Sequence, residues 1–224
     1  MSGRGEQAWA RLRGAILSGE LPPGKKLPFQ QLQDICGMSV SPVREALTRL
    51  VAGGLVEGEH NRGYRVTTVS RRDLDDLVSL RIKLDGWALE RAIEVGDDEW
   101  EALCVADLHR LERVPRKLEK QRLHNEAWEE RHAKFHASIL SACDSPLLIQ
   151  FSEQLYARAD RYRRLSLTVE FEPRDVEEEH RAILDALLKR KKREAKMLLA
   201  QHYEATAAVL RKHLDEQEAS QLEA

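Results

Sequence analysis

Apolar residues recur with a helical period almost from the start of the chain. In residues 6–18 (EQAWARLRGAILS) they fall at Trp9, Leu12, Ile16 and Leu17, which gives one apolar helix face. Gly19 and the Pro-Pro-Gly of residues 22–24 end that helix. A second short helix is predicted from Phe29 to Cys36, with Leu32, Ile35 and Cys36 inward, and Gly37 breaks it. Ser39 or Ser41 can cap a third helix, and Pro42 suits its first turn, where a missing N–H costs nothing. Val43, Ala46, Leu47 and Leu50 share one face of it, and Gly53-Gly54 stops it. Leu55-Val56, a turn at residues 60–63 and Tyr64-Arg65-Val66-Thr67 then read as a small β-hairpin. Three short helices and a two-stranded hairpin make a winged helix-turn-helix.

After residue 70 the pattern is helical throughout. Ser70-x-x-Asp73 resembles a capping box at the head of a helix running to about Glu94. Gly96-Asp97 resets the chain, and the next helix ends before Pro115. A long helical pattern runs from about Pro115 to Cys143, and Asp144-Ser145-Pro146 opens another to about Leu167. Pro173 starts a helix reaching Lys189, and a basic junction leads into the last, ending near Leu214. The expected fold is mainly α: a winged head over residues 1–69, an all-helical bundle over 70–216, and a polar tail at 217–224.

Composition sharpens the division. The formal charge of −2 hides eleven Lys/Arg against six Asp/Glu in residues 1–72, and the opposite excess beyond. A basic head on an acidic body suggests that only the head meets a polyanion. Three widely spaced cysteines, Cys36, Cys104 and Cys143, read as buried apolar residues of a reducing compartment, not as a disulfide frame. No apolar run approaches the ~18 residues that span a membrane, and the first residues lack the apolar core of a signal peptide. The expected location is the cytoplasm.

A recognition helix presents its first turns to the major groove of duplex DNA. Here those turns offer Ser39, Ser41 and Arg44, with Thr48 and Arg49 one turn further. Arg44 suits a bidentate contact to guanine, while Arg49 lies nearer the phosphates. Gly63 at the hairpin tip permits close backbone approach, and Arg62 suits the narrower groove.

The segments AWARLRGAILSGELPPGKKL and SPVREALTRLVAGGLVEGEHNRGYRV together resemble the DNA-binding domain of GntR-type bacterial repressors. The resemblance implies that the PVREAL helix and the wing glycine touch operator DNA, through Arg44 and Gly63. Two departures stand out. Val40 occupies the place of the arginine usual two positions before this proline, so the operator is expected to depart from the family consensus. Phe29 stands where a glutamate is usual near the start of the second helix.

Histidines carry the chemistry of the body. His132 and His136 are four apart and stack on one helix face, while His180 and His202 fall in separate amphipathic segments. Imidazoles converging from three helices are a common way to hold a divalent transition metal. His60, His109, His124 and His213 read as surface or satisfied residues, with His109 nearest a pocket. Trp87, Trp128, Tyr156, Tyr162 and Tyr203 read as core, and the run Lys189 to Arg193 as a solvated helix junction. Glu129-x-x-His132 and Glu177-x-x-His180 also match the spacing of a di-iron carboxylate bundle, an enzyme reading that needs two more inward glutamates. No nucleophile-and-base set and no phosphate loop is present, and the chain is expected not to be an enzyme.

Residues 71–214 resemble the ligand-binding (FCD) domain of the FadR branch of GntR regulators, in its six-helix variety related to VanR. The signs are Arg81-x-x-Leu84-Asp85, Phe135-His136, Glu179-His180 with Ala186 beyond, and His202 after Ala195. The resemblance implies a metal, zinc or nickel, held by three histidines and an acidic residue four before the first of them. That acidic position is His132 here, so the set becomes His132, His136, His180 and His202. Four neutral ligands leave the full charge on the ion and favour an anionic partner. The resemblance further implies a small carboxylate effector, for which Arg81 is the clamp unless it is spent on an interhelical ion pair with Asp85. The expected protein is a homodimer on a palindromic operator, most simply a repressor. A metal-responsive repressor without an organic effector fits the same residues.

Overall fold

The computed structural model describes residues 3–59, 63–116, 125–166 and 174–222. Among them the elements run α1 (Gly3–Leu17), α2 (Phe29–Cys36), α3 (Val40–Ala52), β1 (Val56–Glu59), β2 (Gly63–Val66), α4 (Arg71–Val95), α5 (Asp98–Glu112), α6 (Glu126–Leu140), α7 (Pro146–Ser166), α8 (Val176–Leu188) and α9 (Lys192–Leu222). Two compact units result. One is residues 1–70 with 160–164 of α7; the other is 71–159 with 165–224.

In the first unit α1, α2 and α3 pack on one another, because each turns a leucine-rich face inward. Leu12, Leu32, Leu47 and Leu50 are essentially without solvent contact, and Leu55, Val56 and Val66 extend the same core beneath the hairpin. The α2–α3 turn depends on Gly37, whose φ of 64° closes α2 in a left-handed cap that a side chain would strain. Ser39 takes the N-cap position of α3, yet its side chain makes no capping hydrogen bond. β1 and β2 pair antiparallel, Val56 opposite Val66 and Glu59 opposite Gly63. Gly63 has φ +92°, a conformation that favours glycine. The hairpin gains a third edge that hydrophobic patterning misses. Leu27 N–H donates to Tyr64 O at 2.8 Å and Val66 N–H to Lys25 O at 2.9 Å, so the KKL segment lies along β2.

Six helices, α4 to α9, form the second unit among the described residues. Five of them close a ring: α4 packs on α9, α9 on α8, α8 on α5, α5 on α6, and α6 on α4. Side chains on the inward faces therefore meet in one interior. α7 runs antiparallel beside α4, since Arg91 Nε donates to Cys143 O near one end and Arg81 lies over the Tyr156 ring near the other.

Three helix ends differ from the sequence pattern, each for a local reason. The helix expected from Pro115 begins at Glu126, because Asn125 caps it by accepting from Ala127 N–H; residues 117–124 lie outside the described part. The helix expected from Pro173, itself outside the described residues, begins at Val176, where Asp175 accepts from Glu178 N–H. The last helix continues past Leu214 to Leu222, across most of the expected polar tail. Its Glu, Gln, Ala and Leu are strong helix formers, and polarity alone did not end it. The basic junction is bound up in pairs, Lys189 with Asp185, Arg190 with Glu101, Lys191 with Glu194 and Lys192 with Glu94. No helix among the described residues is long and apolar enough to cross a membrane.

Candidate metal centre and groove-facing helix

The four histidines meet. His132 and His136 project one turn apart from α6, His180 comes from α8 and His202 from α9, all four buried. One nitrogen from each lies within 4.8 Å of the others. His132 does not turn away: its Nε2 is 3.1 Å from Nε2 of His136. Four nitrogens at about 2.0–2.1 Å from one tetrahedral ion lie about 3.3 Å apart, so a modest contraction of the set suffices.

The outer nitrogens of His202 and His132 are held by partners that turn their inner nitrogens toward the centre. His202 Nδ1 is 2.7 Å from Glu179 Oε2, and with Nδ1–H donating to the carboxylate the Nε2 lone pair faces inward. Arg174 holds Glu179 by both carboxylate oxygens and also donates to His202 O at 2.8 Å and Thr206 Oγ1 at 2.8 Å. His132 Nδ1 is 2.9 Å from the Tyr156 hydroxyl, and the ring stacks on Trp128. Burial, with the neighbouring His202 second, pushes the His180 pKa well below its ordinary value; burial likewise lowers that of His202. Both rings are therefore neutral at neutral pH, as ligands must be. Burial also pushes Glu179 upward, but its bonds to His202 and Arg174 outweigh this and hold the carboxyl at about 2. His180 Nε2 is buried with no hydrogen-bond partner among the described residues. A buried acceptor of that kind is costly unless something fills it, and a cation does so. The donor set fits a divalent ion of intermediate softness.

Two cavities flank the cluster. One, of about 330 Å³, is lined by Arg81, Asp85, His136, Ser152, Tyr156 and Tyr203 among others. The other, of about 390 Å³, includes Trp128, Arg174 and His180. Arg81 is both a cavity-wall residue and a member of an ion pair. It lines the first cavity with its guanidinium 3.9 Å from the Tyr203 ring centre, while Nε pairs with Asp85 at 3.3 Å. That pair lies within α4 at four-residue spacing, and is not interhelical as expected. Tyr203, from α9, donates to the same Asp85 oxygen at 2.9 Å.

Other expectations need correction. Trp128 and Tyr203 are buried as expected but also line the cavities, half-buried Tyr156 is cavity wall, and Trp87 is exposed and so neither core nor wall. His109 is exposed and borders neither cavity, His213 is half-buried, and His60 and His124 lie outside the described residues. The di-iron arrangement fails: Glu177 is exposed, and the cluster contains imidazoles alone.

In the first unit, Ser39, Ser41, Arg44 and Thr48 are exposed along α3, and Gly63 is exposed at the start of β2. Thr48 Oγ1 donates to Arg44 O at 3.0 Å. Arg49 is tied back to α1, with its guanidinium 4.1 Å above the Trp9 ring and Nη1 2.5 Å from Glu6. Arg62 lies outside the described residues. One residue gains a role that the sequence flagged only as a departure. The Phe29 ring lies 5.4 Å from the Arg44 guanidinium carbon and meets Tyr64 of β2 edge-on at 5.9 Å. Among the described residues Arg44 has no carboxylate partner, so the aromatic face orients the cation without occupying its N–H donors.

Glu179→Gln is expected to weaken divalent-metal affinity about 10- to 100-fold, with helicity unchanged. Competition against a chromophoric chelator measures it. The exposed Glu177→Gln serves as control, and equal affinities of the two variants would show that Glu179 does not orient His202.

Comparison with known proteins identifies the two domains. Residues 4–66 match the family model "Bacterial regulatory proteins, gntR family", and residues 76–205 match the FCD domain. The chain is 37% identical to the uncharacterized HTH-type transcriptional regulator BphR of Paraburkholderia xenovorans, over 92% of this chain and 84% of that one. It is 34% identical to the HTH-type transcriptional repressor GlaR of Escherichia coli, over 85% of this chain and 88% of that one. The solved structure of E. coli McbR/YncC superposes with a TM-score of 0.77 at 26% identity, covering 95% of this chain and 99% of that one. With a winged helix-turn-helix joined to an FCD bundle, the chain belongs to the GntR family of DNA-binding transcriptional regulators, in the FadR-type branch that carries this domain, and is not an enzyme.

Proposed function

We propose that this regulator is a repressor whose grip on a palindromic operator is set by a small organic acid bound beside a divalent metal. The observation that carries the reading is the meeting of four buried imidazoles at one point. His132, His136, His180 and His202 would hold zinc or nickel. The ion would supply a Lewis-acidic centre with its charge unreduced by any carboxylate ligand, which favours an anion. The cavity of about 330 Å³ suits a small molecule, being near the lower end of ligand sites at about 300–1,000 Å³. Arg81 in its wall suits a carboxylate, and its pairing with Asp85 leaves other guanidinium N–H groups for that purpose.

At the DNA, α3 enters the major groove with Arg44 on guanine, while Ser39, Ser41 and Thr48 lie along the same helix. Gly63 brings the wing backbone close, and Arg62 belongs to the adjoining groove. Arg49 reaches phosphate by leaving Glu6. A symmetric operator calls for two copies of the chain. Leu80 and Trp87 on α4, and Leu147 and Phe151 on α7, are exposed apolar side chains that a second copy would cover. A regulator of this kind works in the cytoplasm.

Two outcomes test this reading. Arg44→Ala should abolish specific operator binding in a mobility-shift titration while leaving metal content unchanged, and Phe29→Ala should weaken it several-fold. Retained specific binding by Arg44→Ala would remove Arg44 as a base reader. Separately, the metal-loaded dimer, verified by sedimentation, should change operator affinity about 5- to 150-fold with one member of a panel of short mono- and dicarboxylates. His136→Ala should lose the ion and the response, and Arg81→Lys, which keeps charge but not the fork, should lose most of the response. A response to metal with none to any acid would favour a purely metal-responsive repressor.

A further inference from the structure

The outward stripe of α3 is not uniformly polar. Val40, Arg44, Thr48 and Val51 follow one another at helical spacing along one exposed face, with Ser41 at its edge. Val40 opens the stripe. It lies in the first turn of the helix, is 40% exposed, and is not among the side chains packed against the core of this unit. The first turn of a recognition helix is the part that meets base edges. The apolar group that base pairs present in the major groove is the C5-methyl of thymine. Valine has no donor or acceptor with which to read anything else.

We propose that Val40 is a specificity-determining residue whose isopropyl group packs on a thymine methyl beside the guanine taken by Arg44. The inference rests on the reading of α3 as the groove helix with Arg44 as its base reader. Val40 and Arg44 are four residues apart, about 6 Å along the helix. That is less than two base-pair steps of about 3.4 Å, so the thymine lies within two base pairs of the guanine. Thr48 adds to the same character, because its hydroxyl is already donated to Arg44 O. Phe29 beneath Arg44 keeps the cation in the stripe.

The test uses the full chain. Operator duplexes are selected from a random library, and each thymine of one half-site is then replaced in turn by deoxyuridine, which pairs identically but lacks the methyl. One replacement within two base pairs of the critical guanine should weaken binding about fourfold, the worth of one buried methyl-sized group. Val40→Ala, whose site is exposed and whose circular dichroism should match the parent, should bind thymine and uridine duplexes alike. Val40→Arg should select guanine where the parent selects thymine. Indifference of the parent to every replacement, or an undiminished uridine penalty in Val40→Ala, would overturn the proposal. If Arg44→Ala still discriminates guanine, the placement of α3 itself is wrong; if it does not, while the parent ignores uridine, the fault is with Val40 alone.

Discussion

Closing five helices into a ring shields their inward faces from bulk solvent, and four of the side chains buried there are imidazoles. That constraint governs the second unit. Burial keeps His180 and His202 neutral, so their nitrogens carry lone pairs, and a buried lone pair without a donor is a standing cost. Partners outside the cluster make this arrangement definite. The Glu179 carboxylate and the Tyr156 hydroxyl take the outer nitrogens of His202 and His132, which turns the inner nitrogens toward one another. Polar groups converging in this way define a site for a cation more sharply than they stabilise a fold without one.

The replacement of an acidic ligand by His132 has a consequence for charge. A carboxylate in the ligand set would offset part of the ion's charge, whereas an imidazole offsets none. Glu179 lies just outside the set, but Arg174 is bound to both of its oxygens and balances it. A divalent ion held by the four imidazoles would keep its charge undiminished by any ligand, with Arg81 in the adjoining cavity wall paired to Asp85. Anionic ligands gain most in such a place.

How much of this was legible in the sequence depended on the range of the interaction. Local signals carried far: Gly37 ends α2, Asp97 caps α5 by accepting from Trp100 N–H, and Pro146 opens α7. The four histidines could be nominated because spacing and resemblance both pointed to them. The edge formed by residues 25–27 could not, since three flanking prolines and two lysines give it no strand pattern. The starts of α6 and α8 were misplaced because Pro115 and Pro173 looked like first-turn prolines, while Asn125 and Asp175 are the residues that cap. Glu179 and Arg174 were invisible as a pair because their roles exist only once α8 and α9 are side by side. Phe29 was visible as a departure, but its use under Arg44 required the three-dimensional placement of α2 against α3.

The most direct measurement of the central claim is elemental analysis with X-ray absorption on the full chain purified without chelator. One divalent ion per chain, surrounded by nitrogen ligands at about 2.0–2.1 Å with the scattering signature of imidazole, is the expected result. A chain that retains no ion after exposure to zinc or nickel, or an ion whose neighbours include sulfur, would contradict the account.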